Sequence, residues 1–237
     1  VNALSTHVEE NELVGMIGPN GAGKTTVFNI ITGVYNPTEG DVIFNGESIV
    51  KYKPFQVTQK GIARTFQNIR LSRSMSVRDN VRVAFNNYVK SGLFGSILQG
   101  GSFQREERQI EQQIDELLNM FHLYEFANEY ATSLPYGVQR KLEIVRALAT
   151  KPKLLLLDEP AAGTNPTEKR NLMDLILDVK NRFNIAILLV EHDMSVVMGI
   201  CERVFVLDYG KKIAEAKPEE IQNDPRVIEA YLGEKVK

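Results

Sequence analysis

The stretch Gly18-Pro19-Asn20-Gly21-Ala22-Gly23-Lys24-Thr25-Thr26 fits the phosphate-binding pattern G-x-x-x-x-G-K-[ST]. The residue types explain the chemistry. Glycines let successive backbone N–H groups turn inward around phosphate oxygens, and a helix starting at the loop's end adds its partial positive charge. Lys24 has the length and charge to reach the β- and γ-phosphates of a nucleotide, and the Thr25 hydroxyl is a ligand for Mg²⁺. Two carboxylates, Asp158 and Glu159, end the apolar run Leu154-Leu155-Leu156-Leu157. Asp158 is a candidate Mg²⁺ ligand, and Glu159 a candidate for polarising an attacking water. A second apolar run, residues 185–190, ends at Glu191-His192-Asp193, which makes His192 a candidate γ-phosphate contact. Gln67 closes a third short run; its amide can coordinate Mg²⁺ and orient water. Taken singly, these last groups have ordinary alternatives: solvated acids at a strand end, a surface histidine, an isolated glutamine.

Those groups need a framework that brings strand ends together. Residues 13–17 read as a short buried strand entering the glycine loop, and residues 25–31 as a helix closed by Gly33. Residues 154–157, 185–190 and 204–207 are short continuous apolar strands of the kind buried in a parallel sheet, with a helix over 167–182 between the first two. Residues 62–67 form a further strand ending at Gln67, residues 1–8 an edge strand, and residues 41–44 a strand that enters a hairpin-like turn at Asn45-Gly46. A helical insertion over 76–149 interrupts this pattern. Ser76 with Asp79 opens a helix to about residue 89 in the manner of a capping box. A Gly-rich stretch carrying Leu93, Phe94, Ile97 and Leu98 follows. An amphipathic helix over 105–122 then has Ile110, Ile114, Leu117, Leu118 and Phe121 on one stripe, and a third helix spans 138–149. After residue 211 the chain turns back and ends in two short helical pieces begun by Pro218 and Pro225.

The 237 residues suffice for one large or two small domains. A net charge of −2 gives no global electrostatic case for nucleic acid. The single Cys201 excludes an internal disulfide and fits a reducing compartment. No apolar run approaches the length of a membrane span and no signal peptide is visible, so a cytoplasmic chain is expected. The sequence opens on Val1, and the expectation is of further residues upstream.

Order and spacing then carry a resemblance. The phosphate loop, Gln67, the helical insertion, Leu134-Pro135-Tyr136-Gly137-Val138-Gln139-Arg140, Asp158-Glu159 and His192 follow one another as in the ATP-binding subunit of ABC transporters. The resemblance covers essentially the entire chain. It implies an α/β, RecA-like P-loop NTPase core (residues 1–75 and 150–215), a helical signature subdomain (76–149) and a C-terminal helical tail (216–237). It implies ATP and Mg²⁺ as cofactors. Thr25, Gln67 and Asp158 would be metal ligands, Glu159 the catalytic glutamate, and Gln67 and His192 the Q-loop and switch residues. It further implies a head-to-tail pairing with a second ABC ATPase subunit. Each ATP would lie between one subunit's loop and the other's segment Leu134, Pro135, Tyr136, Gly137, Val138 and Gln139.

Finer stretches resemble the bacterial branched-chain amino-acid uptake subfamily. These are Arg64-Thr65-Phe66-Gln67-Asn68, Gly92-Leu93-Phe94, residues 142–148, Asp158-Glu159-Pro160-Ala161-Ala162-Gly163, Glu191-His192-Asp193-Met194 and residues 230–234. They are shared in part with urea and lipopolysaccharide-export ATPases. This resemblance implies membrane permease subunits and, indirectly, an extracytoplasmic binding protein as partners, with no nucleic acid. It places the chain on the cytoplasmic face of the membrane, docked through the cleft beside Gln67, residues 70–77 and part of 92–98. Three features depart from the family pattern. Pro135 stands where the signature has Ser, Asn165 stands where the following loop has Asp, and residues 1–17 hold no aromatic to stack on adenine. Pro135 suits the first turn of a helix, with Ser133 as its cap. Rival readings are a soluble ABC ATPase acting on ribosomes or DNA, a P-loop kinase and a binding-only regulatory cassette. The first usually carries two cassettes or a long coiled coil, and this chain has one cassette and no heptad run. The second leaves the signature segment and His192 unexplained.

Overall fold

The computed structural model describes residues 1–85 and 101–232. The chain falls into two units: Val1–Gln67 with the residues from Lys153 onward, and Asn68–Pro152. In chain order the first unit contributes β1 (Leu13–Ile17), α1 (Lys24–Ile31), β2 (Ile43–Phe44), β3 (Glu47–Ser48), α2 (Pro54–Lys60) and β4 (Ile62–Arg64). The second unit contributes α3 (Val77–Phe85), α4 (Gly101–Met120) and α5 (Tyr136–Leu148). The first unit resumes with β5 (Leu154–Asp158), α6 (Pro166–Phe183), β6 (Ala186–Val190), α7 (Met194–Ile200), β7 (Arg203–Asp208), β8 (Lys211–Ala216), α8 (Pro218–Gln222) and α9 (Pro225–Leu232).

Among the described residues the main sheet has the order β4-β5-β6-β1-β7-β8, parallel except for β8. All five residues of β1 are buried, which explains an apolar sequence without alternation. Val14, Met16, Phe28, Leu156, Leu188 and Phe205 pack in one cluster that seats α1 against the sheet. Each such side chain contributes about 1.5–3 kcal/mol on burial. Met16 lies opposite both Val190 and Phe205, and Asp158 lies opposite Val190. The carboxyl ends of β1, β5 and β6 therefore stop at one level, where open α/β sheets bind ligands.

Several elements differ from the sequence expectation. Residues 1–8 form no strand: Ala3 sits at φ 50°, and the segment is held by isolated bonds, Asn2 N–H to the Gly210 carbonyl (2.7 Å) and Arg203 Nη2 to the His7 carbonyl (2.8 Å). The strand leading to Gln67 ends at Arg64, because the last rung is Thr65 N–H to the Leu156 carbonyl. The turn after residue 208 leads into β8, whose Lys211, Lys212 and Glu215 mark a charged edge strand. α2 and α7 are additional helices. The hairpin at Asn45-Gly46 and the helices begun by Pro218 and Pro225 are as expected.

In the second unit Ser76 opens α3 as read: its Oγ accepts from Asp79 N–H (3.1 Å) and donates to Asp79 Oδ2 (2.7 Å). Arg78 pairs with Glu111 and Asp115, and Arg82 with Glu107 and Glu111, lacing α3 to α4. The end of the expected helix to residue 89, and residues 91–100 including Leu93, Phe94, Ile97 and Leu98, lie outside the described residues. α5 begins at Tyr136, two residues before the expected start. Pro135 occupies the N-cap, at φ −55° and ψ 149°, and not the first helical turn. Ser133 does not cap the helix, since its Oγ donates to the Tyr130 carbonyl (2.8 Å). The Pro135 carbonyl accepts from Val138 and Gln139 N–H, both at 3.0 Å, which starts the helix without a side-chain cap.

Candidate functional site

β1 delivers the glycine loop to the carboxyl edge of the sheet, and α1 leaves from it. Gly18 is buried, and a Cβ there would lie 2.1 Å from the Leu207 carbonyl oxygen, so only glycine fits. Gly23, at φ 105°, occupies the N-cap of α1 and turns the loop into the helix. From outside, Gly210 N–H donates to the Ala22 carbonyl at 2.8 Å. Thr25 is exposed and Thr26 partly so, on the first turn of α1. Lys24 folds back: Nζ donates to the carbonyls of Gly18 (2.6 Å) and Pro19 (3.1 Å). Burial pushes its ammonium down from the ordinary lysine value, while the charges of Glu159 and Asp158 pull it back up. The loop lysine and both strand-end acids thus share one electrostatic field.

β5 ends on Asp158, whose Oδ2 accepts from Arg64 Nη2 at 2.7 Å. Their side chains are only 9% and 7% exposed. Arg64 also donates to Asn29 Oδ1 (2.7 Å), and its guanidinium lies 5.2 Å from the Phe28 ring centre and 4.9 Å from that of Phe66. Beyond Asp158 the chain swings out of the sheet at Glu159, which has φ 46° and donates its N–H to the Val190 carbonyl (2.9 Å). A left-handed glutamate is costly, on the order of 1–3 kcal/mol, and such strain clusters at functional sites. Here it turns the carboxylate toward its neighbours. Gln67 Nε2 donates to Glu159 Oε2 at 2.8 Å, and His192 Nδ1 lies 3.6 Å from the same oxygen. Lys24, Gln67, Asp158, Glu159 and His192 all belong to the first unit; the segment 134–139 belongs to the second, at the start of α5.

Two groups were missed in the sequence. Arg64 ends the short strand β4, where nothing local marks it as a partner of Asp158. Glu191 stands beside His192, and its sequence neighbours do not by themselves distinguish it from a solvated acid. Its side chain is fully buried, Oε1 accepting from Ala161 N–H (2.7 Å) and Oε2 from His192 N–H (3.2 Å). Burial pushes this carboxyl above the ordinary glutamate value, against the pull of those N–H donors and of His192. Glu191 thereby ties the loop after Glu159 to the residue that carries the imidazole. The available signal was an acid directly following five buried apolar residues. Asn165 caps α6, its side chain accepting from the N–H groups of Thr167 and Glu168 while Glu168 accepts from Asn165 N–H. An uncharged Asn does the capping that an Asp would do there.

A phosphate loop, a strand-end acid pair and a Gln–Glu–His cluster on one sheet edge describe a nucleotide hydrolase. The family model described as "ABC transporter" matches residues 1–162. The chain belongs to the ABC transporter family. A second model, "Branched-chain amino acid ATP-binding cassette transporter", matches residues 211–237 of this ABC cassette. The cassette is 46% identical over 234 residues to the high-affinity branched-chain amino acid transport ATP-binding protein LivG of Salmonella typhimurium, covering 99% of this chain and 92% of that protein. Among solved structures it resembles the ADP conformation of MJ1267, an ATP-binding cassette of an ABC transporter. The TM-score is 0.81 at 30% identity, over 98% of this chain and 91% of the other. It also resembles the dimeric post-hydrolysis structure of the ATP-binding cassette MJ0796 bound to ADP and Pi. There the TM-score is 0.74 at 26% identity, over 90% and 88% of the two chains. The RecA-like ABC ATPase fold and the ATPase activity expected from the sequence are thereby established. Among the described residues no helix is long and apolar enough to cross a membrane.

Proposed function

We propose that this ABC ATPase powers uptake of branched-chain amino acids, working on the cytoplasmic face of a membrane with permease subunits and an extracytoplasmic binding protein. The observation that carries the substrate class is the 46% identity to LivG across nearly the whole chain, seconded by the match of residues 211–237. Two copies, or this chain and a paralogue, would close head to tail on ATP, each presenting its segment 134–139 to the other's nucleotide. That MJ0796, a bacterial ABC transporter cassette, forms a dimer supports the pairing of two cassettes.

In this reading Lys24 leaves the Gly18 and Pro19 carbonyls to meet the β- and γ-phosphates, which receive the loop N–H groups. Glu159 takes the proton of the attacking water. The water oxygen bonds the γ-phosphorus as the bridging bond to the β-phosphate breaks, and ADP leaves with the electron pair. Gln67 and His192, both aimed at Glu159 Oε2, orient that water and contact the γ-phosphate. The donors fit Mg²⁺: Thr25 Oγ1, the Gln67 amide oxygen, and Asp158 Oδ1, since Arg64 takes Oδ2. Among the described residues no group of three or more His, Cys, Asp or Glu gathers to hold a metal. Mg²⁺ completed by phosphate and water oxygens needs no such cage. When bound it neutralises charge on the phosphates.

Residues 70–77 are the proposed permease contact in the second unit. Their support is their anchoring: Arg70 N–H donates to Glu143 (3.2 Å), the Arg70 carbonyl accepts from Arg146 (2.6 Å), and Asn80 brackets Ser72. A loop held this way can transmit a push. Co-purification with the permease followed by ligand binding to the associated binding protein tests the substrate. A branched-chain amino acid that stimulates ATP turnover in the assembled complex is the expected result, and stimulation by an unrelated solute alone refutes it.

A further inference from the structure

The last helix reaches the phosphate loop. Gly18 N–H donates to Tyr231 Oη at 2.9 Å, a bond between residues 213 positions apart. Gly18 is a junction. Its carbonyl accepts from Lys24 Nζ, and its Cα is pressed so close to Leu207 that a Cβ would overlap the carbonyl there. Its N–H finds its partner in a side chain of α9, within a segment that no phosphate chemistry in the sequence points to. Tyr231 is 40% exposed, and burial of part of its side chain pushes its phenol above the ordinary tyrosine value, against the pull of the Gly18 N–H bond. A buried N–H stripped of its acceptor is costly, and a chain with glycines at 18, 21 and 23 has the freedom to relieve that cost by moving.

We propose that Tyr231 is a positioning residue for the phosphate loop: by accepting the Gly18 N–H bond it fixes the loop's first residue, and so makes the C-terminal helix part of the nucleotide site. The inference rests on the nucleotide reading of that loop. Lys24 must release the Gly18 carbonyl when phosphate arrives, and Gly18 then depends on its remaining anchors, Tyr231 and the Leu207 backbone, to keep its place. Coupling of this kind is reciprocal, so bound nucleotide also holds α9 against the core.

The test is Tyr231→Phe in the full chain, which keeps the ring and removes only the acceptor. MgATP affinity should fall about three- to tenfold, the range of one ordinary hydrogen bond. KM should rise more than kcat falls. Hydrogen exchange supplies a readout that a merely structural tyrosine would not move. In the wild type, MgADP should slow exchange at Gly18 and at the amides of residues 228–231; in Tyr231→Phe, Gly18 should exchange faster and the nucleotide effect on α9 should shrink. Equal nucleotide affinity in both proteins, or the same nucleotide protection of α9 in both, overturns the proposal. A melting temperature that drops while affinity holds also overturns it, by making Tyr231 a fold residue. A wild type that binds no MgATP would instead sink the nucleotide reading, and this inference with it.

Discussion

Replacing Arg64 with Met should destabilise the nucleotide-free protein by about 3–5 kcal/mol, the cost of leaving one member of a buried ion pair uncompensated. The size follows from the site. The Arg64 and Asp158 side chains are 7% and 9% exposed, so water cannot easily replace the lost partner. Asn29 Oδ1 loses its donor as well. Part of the aromatic contact with Phe28 and Phe66 survives, because a thioether beside a ring retains about 0.3–1.5 kcal/mol. For a chain of this size, each kcal/mol moves the midpoint about 2–4 °C, so a fall of roughly 6–20 °C is expected in a thermal melt with chelator present. Arg64→Met combined with Asp158→Asn removes the stranded charge and should recover stability relative to the single variant by more than about 1 kcal/mol. Mg²⁺ with ADP should stabilise Arg64→Met more than wild type, because a cation at Asp158 restores the missing charge. A single variant melting within about 1 kcal/mol of wild type, or a double variant no more stable than the single, would refute the argument.

Glu159→Gln should keep MgATP binding and lose about 10²-fold or more in turnover, read by phosphate release; unchanged hydrolysis removes Glu159 from the mechanism. Glu191→Gln tests a buried acid whose native value is raised by burial. Such a group contributes stability that is complete below the ordinary glutamate value and is lost as pH rises through the raised one. Urea midpoints of wild type should therefore decline across that window relative to Glu191→Gln, and parallel pH profiles would contradict the assignment. Pro135→Ser places a hydroxyl at the uncapped start of α5 and should add about 0.5–2 kcal/mol to stability. In a Glu159→Gln background with ATP, sedimentation should show a shift toward dimer if that hydroxyl also serves a partner's phosphate. No gain in either measurement means that the backbone bonds from the Pro135 carbonyl already do the capping.

What the sequence by itself determined is what neighbours along the chain can settle. The spacing of Gly18, Gly23, Lys24 and Thr25 dictates a loop of inward N–H groups, because the phosphate contacts come from consecutive residues. Apolar runs too continuous for a one-sided sheet announce β5, β6 and β7 as interior strands. Ser76 with Asp79 opens α3 through a bond of three residues' span. Beyond that range the pattern is silent or misleading. β8 and α7 are short and lie against neighbours that decide them, and Pro135, with a ψ of 149°, stands just outside α5 as its N-cap and not in its first turn. The acids, the amide and the imidazole were legible as types; that Gln67 and His192 both converge on Glu159 Oε2 was not. Parallel pairing of β4, β5 and β6 brings Arg64 to Asp158 and Glu191 to Ala161, and the packing of the C-terminal helix α9 brings Tyr231 to Gly18. Each of these bonds joins residues far apart in the chain and is wholly or partly shielded from water, and that shielding belongs to the packed fold, not to any local run of residues.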